Sequence, residues 1–285
     1  MQANLDSYML SLETDVSNAL LLAAALDNRA CGVQLPQKGA TARLDFYCAT
    51  RAEARIVLTE ARALAPRGSL RAARIHLAAR RDWAENWKRF FHTRRVSRRI
   101  VVKPSWEAYK PQPGEYVIEL DPGLSFGTGL HGTTRACLRF LDKYQPKLPR
   151  ASALDIGCGS GILAIAAAKL GFAHIDALDY DPEAVRIARA DVAQNGVAGK
   201  VTIARADIAK CRRLKPRELV VANLMADLLI NAADRISAAV SLAPGSVLIL
   251  SGILRAQYAA VSAAFAARGF AEHAVITLGD WRTGC

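Results

Sequence analysis

Residues 153–164 read ALDIGCGSGILA, in which an apolar strand runs into three glycines at alternate positions and a helix begins at once. Glycines allow a sharp backbone turn, and they let a ligand lie against bare amide groups at a helix N-terminus. A nicotinamide-type fingerprint has the spacing G-x-G-x-x-G, whereas here the third glycine comes one residue early and Ile162 follows it. The spacing therefore indicates a cofactor site that differs from a dinucleotide site.

An acidic residue, Asp155, lies two positions before the first glycine of this loop. A carboxylate there would repel a pyrophosphate, but it suits a cationic or zwitterionic ligand such as the amino acid end of S-adenosylmethionine. The pattern D-x-G-x-G-x-G is typical of methyltransferases. We therefore expect Asp155, Gly157, Gly159 and Gly161 to bind S-adenosylmethionine, with an ordinary tight turn between strand and helix as the alternative.

The sequence from residue 151 onward alternates short apolar strands with helical stretches. The predicted strands are Ala153–Ile156, Ile175–Leu178, Val201–Ala204, Leu219–Ala222 and Val247–Leu250. The predicted helices are Ile162–Leu170, Pro182–Gln194, Met225–Ser241 and Ala256–Arg268. Nearly all-apolar strands that alternate with helices indicate a doubly wound, mostly parallel α/β sheet of the Rossmann-like type, covered on both faces.

Polar residues follow two of these strands at the edge where ligands bind in open α/β sheets. Asp179 comes eighteen residues after Gly161, where an acid can accept both ribose hydroxyl groups of a nucleoside. Asn223 ends the fourth strand, and its uncharged amide could orient a neutral amine beside a sulfonium. Asn223 could also cap the helix that begins near Met225, a role compatible with the first.

Two further acids have a structural explanation beside the functional one. Asp181 lies directly before Pro182, so we favour a helix N-cap over a ligand contact. Asp207 follows the third strand, where its side chain could reach an adenine amino group. A solvated loop acid is an equally good interpretation of Asp207.

A second glycine-rich stretch, LDPGLSFGTGLHGTT, occupies residues 120–134 and precedes a predicted helix at Arg135–Leu141. Such a loop could fold over a cofactor, with the Thr134 hydroxyl and backbone amides as contacts. His131 could act as a base, but the sequence offers it no Asp or Ser partner. We therefore favour a structural hydrogen bond for His131.

The first part of the chain has the element order β-α-β-β-α-β, which is typical of a small α+β ferredoxin-like module. The predicted elements are Ser7–Glu13, Val16–Leu26, Cys31–Leu35, Arg43–Ala49, Ala52–Leu64 and Ala73–Ala78. In the segment that follows, Trp83, Trp87 and Phe91 are spaced as on one face of a basic, amphipathic helix. We predict a ferredoxin-like domain at 1–80, a linker at 81–114 and a cofactor-binding domain at 115–285.

The composition of the 285-residue chain excludes several classes of protein. Hydrophobic residues make up 52% and charged residues 22%, which argues against intrinsic disorder. No apolar run reaches the roughly 18–20 residues of a membrane-spanning helix. The six cysteines form no C-x-x-C pair, which fits a reducing cytoplasm rather than a zinc ribbon, and no metal site is predicted.

The net charge of +12 is concentrated in the first part of the chain. Residues 1–110 hold 19 Lys and Arg against 10 Asp and Glu, whereas residues 111–285 hold 19 against 16. Nine of the basic residues lie between Arg80 and Lys103. A segment of this kind predicts an acidic or nucleic-acid partner, or is simply a solvated basic face.

Three motifs together resemble the PrmA-type methyltransferases, which methylate ribosomal protein L-eleven (L11) of the large subunit. The motifs are residues 121–134, the loop Asp155–Gly161 and the string Asn223-Leu224-Met225-Ala226. The resemblance covers about residues 82–285, and F-G-T-G-x-H-x-T-T is its most specific part. Two departures are Gly132, where the family often has Pro, and Asp227-Leu228 in place of a Gly-Pro pair.

The resemblance implies a substrate-recognition role for the N-terminal domain and cofactor contacts at Thr134, Gly157, Asp179 and Asn223. It also implies that Phe126 borders the methyl-transfer site. The expected activity is transfer of methyl groups from S-adenosylmethionine to lysine side chains or the N-terminus of L11 in the cytoplasm. Asn223 would position the amine, and no general base is assigned.

Other functions remain compatible with the sequence. An RNA methyltransferase would use the N-terminal domain to bind RNA, but the third strand offers only Phe46 and Tyr47, on opposite faces. The change at Asp227-Leu228 leaves room for a non-catalytic module that binds S-adenosylmethionine. A small-molecule methyltransferase is a further alternative, because a fold does not fix its substrate.

Overall fold

The structure is a computed structural model of the chain. It describes residues 7–16, 18–19, 22, 26, 31–34, 41–48, 50–66, 68–78, 91–121, 131–148, 152–211 and 213–285. The chain divides into two compact units, Met1–Phe91 and His92–Cys285. No helix within the described ranges is both long and apolar enough to cross a membrane.

The first unit contains an antiparallel sheet in the order β2-β3-β1-β4. Its elements are β1 Ser7–Asp15, β2 Cys31–Gln34, β3 Thr41–Cys48, α1 Arg51–Leu64 and β4 Ala72–Ala78. Alternate residues of β1 and β3, among them Leu12 and Phe46, form a buried face. Helix α1, capped by Thr50, packs on that face through buried positions spaced three and four residues apart. The strand order is that of a ferredoxin-like module, although the predicted helix Val16–Leu26 lies largely outside the described residues.

The predicted linker at 81–114 differs from the structure in its second half. Strands β5 Arg94–Arg95 and β6 Ile100–Lys103 form a three-stranded sheet with β7 Tyr116–Glu119. The apolar run Ile100-Val101-Val102 is buried, which explains why this part is a strand rather than an extended connection. The predicted amphipathic helix around Trp83 and Trp87 lies outside the described residues.

The second unit is built on a seven-stranded sheet in the order β10-β9-β8-β11-β12-β14-β13. Its strands are β8 Ser152–Ile156, β9 His174–Asp179, β10 Val201–Arg205, β11 Leu219–Asn223, β12 Val247–Leu254, β13 Val275–Leu278 and β14 Trp281–Gly284. Its helices are α2 Gly132–Tyr144, α3 Ile162–Leu170, α4 Pro182–Gln194, α5 Ala226–Asn231, α6 Ala233–Ala238 and α7 Tyr258–Ala266. Strands β8 to β12 are parallel, β14 runs antiparallel to its neighbour β12, and β13 pairs antiparallel with β14 at the edge of the sheet.

Two buried clusters, one on each face of this sheet, form the core of the second unit. Helix α3 is almost entirely apolar and buried, as expected for a helix enclosed on all sides. The predicted single helix Met225–Ser241 is instead two helices, α5 and α6, which meet at Ala232. The doubly wound α/β fold class predicted from the sequence is confirmed.

Candidate cofactor-binding site

The glycine loop joins the carboxyl end of β8 to the start of α3. Gly157, Gly159 and Gly161 have φ angles of 73°, 54° and 78°, a left-handed region that side chains disfavour. The N–H groups of Gly157 and Cys158 donate to the carbonyl of Leu178, at 2.8 and 3.0 Å. These bonds fasten the loop to the carboxyl end of β9 and leave it at the edge where such sheets bind ligands.

Gly157 also provides space for a neighbouring side chain. A Cβ atom at this position would overlap Cδ2 of Leu224, the residue that follows Asn223. The backbone of Leu224 lies against Gly252 on β12, where a Cβ would overlap the Leu224 carbonyl oxygen. Leu224 is therefore held between two glycines, and this contact fixes the position of Asn223 relative to the loop.

Asp155 is fully buried on β8, below the glycine loop. Its Oδ2 atom accepts a hydrogen bond from the backbone N–H of Ala164 in α3, at 3.2 Å, while Oδ1 has no hydrogen-bond partner. Burial raises the pKa of this carboxyl to about 7. A cationic ligand group beside Oδ1 would satisfy that atom and favour the ionised form.

We expect replacement of Asp155 by Asn to change how stability depends on pH. The folded pKa of about 7 lies above the ordinary value of 3.8 for an Asp carboxyl, so between these pH values the folded wild type holds a proton that the unfolded chain has lost. The free energy of unfolding of the wild type should therefore fall as the pH rises between these values. The slope is about 1.4 kcal/mol per pH unit and becomes shallower as the pH approaches the folded pKa, so the loss between pH 5 and 7 amounts to about 2 kcal/mol.

Urea unfolding of wild type and Asp155→Asn at the two pH values measures this effect. Asp191 also has its pKa raised by burial, to about 6, but it is present in both proteins and cancels in the comparison. An identical pH dependence for the two proteins would show that Asp155 is ionised in the folded state.

Asp179 ends β9 and is nearly buried. Its Oδ2 atom accepts from the N–H of Gly159 at 2.9 Å, and its Oδ1 atom accepts from the N–H of Asp181 at 3.0 Å. The carboxylate thus shapes the glycine loop, and each oxygen retains a lone pair for a ligand hydroxyl. The predicted ribose contact stays a prediction.

Asp181 and Asp207 have the structural roles considered above. Asp181 is the N-cap of α4 and accepts from the N–H of Glu183 at 2.9 Å, so the preferred interpretation is confirmed. Asp207 accepts from the N–H of Ala209 at 2.9 Å and pairs with Lys210 at 3.5 Å. These bonds are those expected of a loop acid, and the adenine contact of Asp207 stays a prediction.

Asn223 lies at the carboxyl end of β11, which pairs directly with β8, the strand that carries Asp155. Its Oδ1 atom is buried and has no hydrogen-bond partner. The helix that follows has Met225 at its N-cap, with no side-chain cap bond, so the alternative that Asn223 caps this helix is wrong. The amide is therefore left to a ligand or substrate.

The first turn of α2 carries Thr134, which is buried and whose Oγ1 atom has no partner. His131 is the N-cap of α2, where Nδ1 accepts from the N–H of Thr133. Burial lowers the pKa of His131, and its ring packs edge-on against Trp281 at 5.0 Å. These contacts confirm the structural interpretation of His131, whereas Phe126 lies outside the described residues.

Sequence reasoning missed a buried hydroxyl cluster that anchors this turn. The Ser251 hydroxyl on β12 donates to the carbonyl of Thr133 at 3.3 Å and bonds the Thr283 hydroxyl at 2.6 Å. All three residues are buried. The sequence signal for this cluster was the pair Ser251-Gly252, which comes directly after an apolar run. Thr283 gave no signal of its own, because the strand that carries it was not predicted.

The buried oxygens without partners suit a polar, partly cationic ligand. Thr134 Oγ1, Asp155 Oδ1 and Asn223 Oδ1 belong to elements that meet at the carboxyl edge of the sheet. Unpaired buried oxygens cost about 1–3 kcal/mol each, so a ligand that supplies donors would be stabilised there. The residues present therefore fit the amino acid and nucleoside parts of S-adenosylmethionine.

Other chemistries have less support at this edge. Burial raises the pKa of Cys137 to about 12 and also raises that of Cys158, so both thiols stay protonated. Within the described part of the chain, no three His, Cys, Asp or Glu residues are grouped to hold a metal ion. A cavity of about 730 Å³ lies away from the site, lined by Tyr144, Phe265 and Glu272 among others.

The strand order, with a D-x-G-x-G-x-G loop after β8, defines a Rossmann-like methyltransferase fold. The model of the PrmA family, described as ribosomal protein L11 methyltransferase, matches residues 18–284. The chain belongs to this family, and the resemblance noted in its motifs is confirmed.

Relatives of known name agree with this assignment. A ribosomal protein L11 methyltransferase of Pelotomaculum thermopropionicum is 44% identical over 205 residues, or 72% of this chain and 65% of that protein. One from Geobacter metallireducens is 43% identical over 201 residues, or 70% and 64%. The match thus spans less than two thirds of either relative. A crystal structure of ribosomal protein L11 methylase from Lactobacillus delbrueckii subsp. bulgaricus is 30% identical, with a TM-score of 0.61, and covers 68% of this chain and 97% of that one.

Proposed function

We propose that this chain transfers methyl groups from S-adenosylmethionine to amino groups of ribosomal protein L11. The observation that carries the proposal is the set of unpartnered buried oxygens of Thr134, Asp155 and Asn223 beside the glycine loop. The family assignment and the names of the relatives support the same reaction. Lysine side chains and the N-terminus are the proposed acceptors.

The proposed roles follow from the chemistry of each residue. S-adenosylmethionine, when bound, supplies an electrophilic methyl group. Asp155 and Thr134 bind its polar amino acid end, Asp179 binds the ribose, and the bare amides of the loop allow close approach. Asn223 accepts a hydrogen bond from the incoming amine and so directs the lone pair of the amine nitrogen at the methyl group. Orientation of this kind contributes on the order of 7–11 kcal/mol in favourable cases.

The acceptor amine must lose a proton before it can attack. A lysine amine has an unperturbed pKa of about 10.4. Burial in the site would lower this value, because removal from water disfavours the ammonium form. No general base is therefore assigned, and solvent takes the proton. The neutral His131 is occupied as the N-cap of α2 and takes no part in this step.

Incubation with labelled S-adenosylmethionine and ribosomal fractions tests the proposed substrate. We expect label in one small ribosomal protein, and none when the amino groups of purified L11 have first been acetylated. Label in RNA alone would overturn the proposal in favour of an RNA methyltransferase. That alternative has weak support, since Phe46 is wholly buried and offers no ring for base stacking.

We expect Asn223→Ala to lower kcat for methyl transfer about 100-fold, because the acceptor amine would no longer be aimed. The Kd for S-adenosylmethionine should change much less. Steady-state kinetics with L11 and equilibrium binding of the cofactor separate the two effects.

Asn195→Ala is the matched control for Asn223→Ala. The Asn195 amide holds the backbone N–H and carbonyl of Glu119, at 2.9 and 2.7 Å. Its loss should lower stability and leave kcat near the wild-type value. A wild-type kcat for Asn223→Ala would remove Asn223 from the reaction.

Two finer points belong to the same proposal. The ferredoxin-like domain predicted at 1–80 would recognise L11, with the cofactor-binding domain at 115–285 carrying out the reaction. The basic residues between Arg80 and Lys103 would bring the enzyme near ribosomal RNA in the cytoplasm. Removal of residues 1–80 should then abolish methylation of L11 but leave cofactor binding intact.

A further inference from the structure

Helix α2 presents a row of cations on its solvent-facing side. Three positions between residues 135 and 144 of this helix are not buried, and they are spaced four residues apart: Arg135, Arg139 and Lys143. Residues with this spacing lie above one another on a single helix face, about 6 Å apart along the axis. The exposed face of this part of α2 is therefore wholly basic.

Strand β5 and the turn that joins it to β6 lie beside this row and add further cations. Arg94 and Arg98 are exposed, and the Arg139 Nε–H donates to the carbonyl of Val96 at 3.1 Å. A groove of about 560 Å³ lies between the turn and the helix, with Arg98, Arg139 and Lys143 in its lining. We call these three lining residues, together with the neighbouring Arg94 and Arg135, the basic groove.

The carboxylates beside the basic groove are already paired with other cations. Asp142 binds Arg99, whose Nε lies 2.5 Å from Oδ1, and Glu115 pairs with Arg95. Among the residues that the structure describes, no carboxylate forms an ion pair with any member of the basic groove.

Like charges are therefore concentrated in the groove without compensation. The pKa of Arg135 lies below its ordinary value because of burial and the nearby charges of Arg139 and Arg94. The Nε atom of Arg135 is also buried without a partner. A surface with this excess of cations attracts a polyanion.

We propose that the basic groove binds the phosphate backbone of RNA. A groove can hold the backbone of an RNA strand, whereas a membrane presents a flat surface that does not enter a groove. A surface that enters a membrane also carries exposed apolar side chains, and those of the described residues lie elsewhere, for example at Met225 and Leu242. The choice of ribosomal RNA as the source rests on the proposed function, because the substrate belongs to a ribosomal particle.

Contacts of this kind position a protein on RNA without reading its sequence. The basic groove would thus hold the enzyme on ribosomal RNA while L11 is presented. The basic groove belongs to the second unit and shares Arg94 and Arg98 with the basic segment 80–103, of which the structure describes residues 91–103.

Fluorescence anisotropy with a labelled RNA hairpin, over a series of salt concentrations, tests the inference. Arg98→Gln/Lys143→Gln removes two exposed cations of the groove that form no side-chain ion pair in the described part of the chain. We expect the slope of log K against log salt to become shallower by about 1.5, because two phosphate contacts are lost. The control Arg213→Gln/Lys215→Gln removes the same charge from exposed positions outside the groove and should keep the wild-type slope.

Each outcome decides the matter. Equal effects of the two double variants would mean that net charge alone binds RNA, which would overturn the groove. Binding to phosphatidylserine vesicles but not to the hairpin would overturn RNA as the partner. Methylation of free L11 is measured in the same proteins and should be unchanged in Arg98→Gln/Lys143→Gln. An inactive wild type that binds the hairpin through the groove would overturn only the proposed function.

Discussion

Replacement of Gly157 by Ala should nearly abolish methyl transfer while the chain still folds. Its φ of 73° costs an L-residue about 1–2 kcal/mol. The added Cβ would also overlap Cδ2 of Leu224, and overpacking of this kind adds about 1–3 kcal/mol. Leu224 cannot retreat freely, because its backbone lies against Gly252. Asn223 must then move, and a displacement of about 1 Å can lower the rate about 100-fold.

A second glycine separates backbone strain from the steric effect. Gly196 has a similar φ of 69°, but a Cβ there would meet nothing within 4 Å. Gly196→Ala should therefore lose about 1–2 kcal/mol of stability and keep its kcat. The kcat and the urea midpoint of both variants are the measurements, and equal behaviour of the two would show that Leu224 does not transmit the effect.

A compensating change sharpens this prediction. Leu224→Ala removes the atom that a Cβ on residue 157 would overlap, so the double variant Gly157→Ala/Leu224→Ala should recover part of the lost kcat. Residues in contact show such non-additive effects, whereas independent sites do not. Additive losses in the double variant would assign the defect to the strained backbone of the loop instead.

The parts of the fold that were predictable are those specified by neighbouring residues. The bounds of α3 and α4, Ile162–Leu170 and Pro182–Gln194, agree with the prediction because a glycine loop and the pair Asp181-Pro182 mark their starts. The break at Ala232 has no such mark, since neither Gly nor Pro accompanies it. A helical pattern that continues through this break was therefore interpreted as a single helix.

The parts of the site that sequence reasoning missed depend on contacts between distant segments. The approach of Leu224 to Gly252 follows from the register of β11 on β12, in which Asn223 is opposite Ser251. The bond from Ser251 to Thr283 requires β14 to lie beside β12, and β14 was not predicted. A strand of four residues at the end of a chain, with Trp281 and Gly284 at its ends, carries little alternation to reveal it.

Replacement of Asp179 by Ala should raise the Kd for S-adenosylmethionine on the order of 100-fold. Hydrogen bonds to a charged group contribute about 1.5–3 kcal/mol, and each 1.4 kcal/mol is a factor of ten in Kd. Isothermal titration calorimetry measures the change. Asp181→Ala is the control, because it removes only the cap of α4 and should cost about 1 kcal/mol of stability without weakening binding.

The loss in Asp179→Ala has two sources, which a modified ligand separates. Asp179 also accepts from the N–H of Gly159, so its removal loosens the loop as well as the proposed ribose contact. A deoxyribose analogue of S-adenosylmethionine lacks one hydroxyl and should bind the wild type about tenfold more weakly than the natural ligand. If the Asp179 carboxylate accepts a hydrogen bond from that hydroxyl, Asp179→Ala should bind both ligands equally, because the variant has no carboxylate to accept the bond from either ligand. A variant that still discriminates tenfold would show that Asp179 acts through the loop, and the ribose contact would belong to another residue.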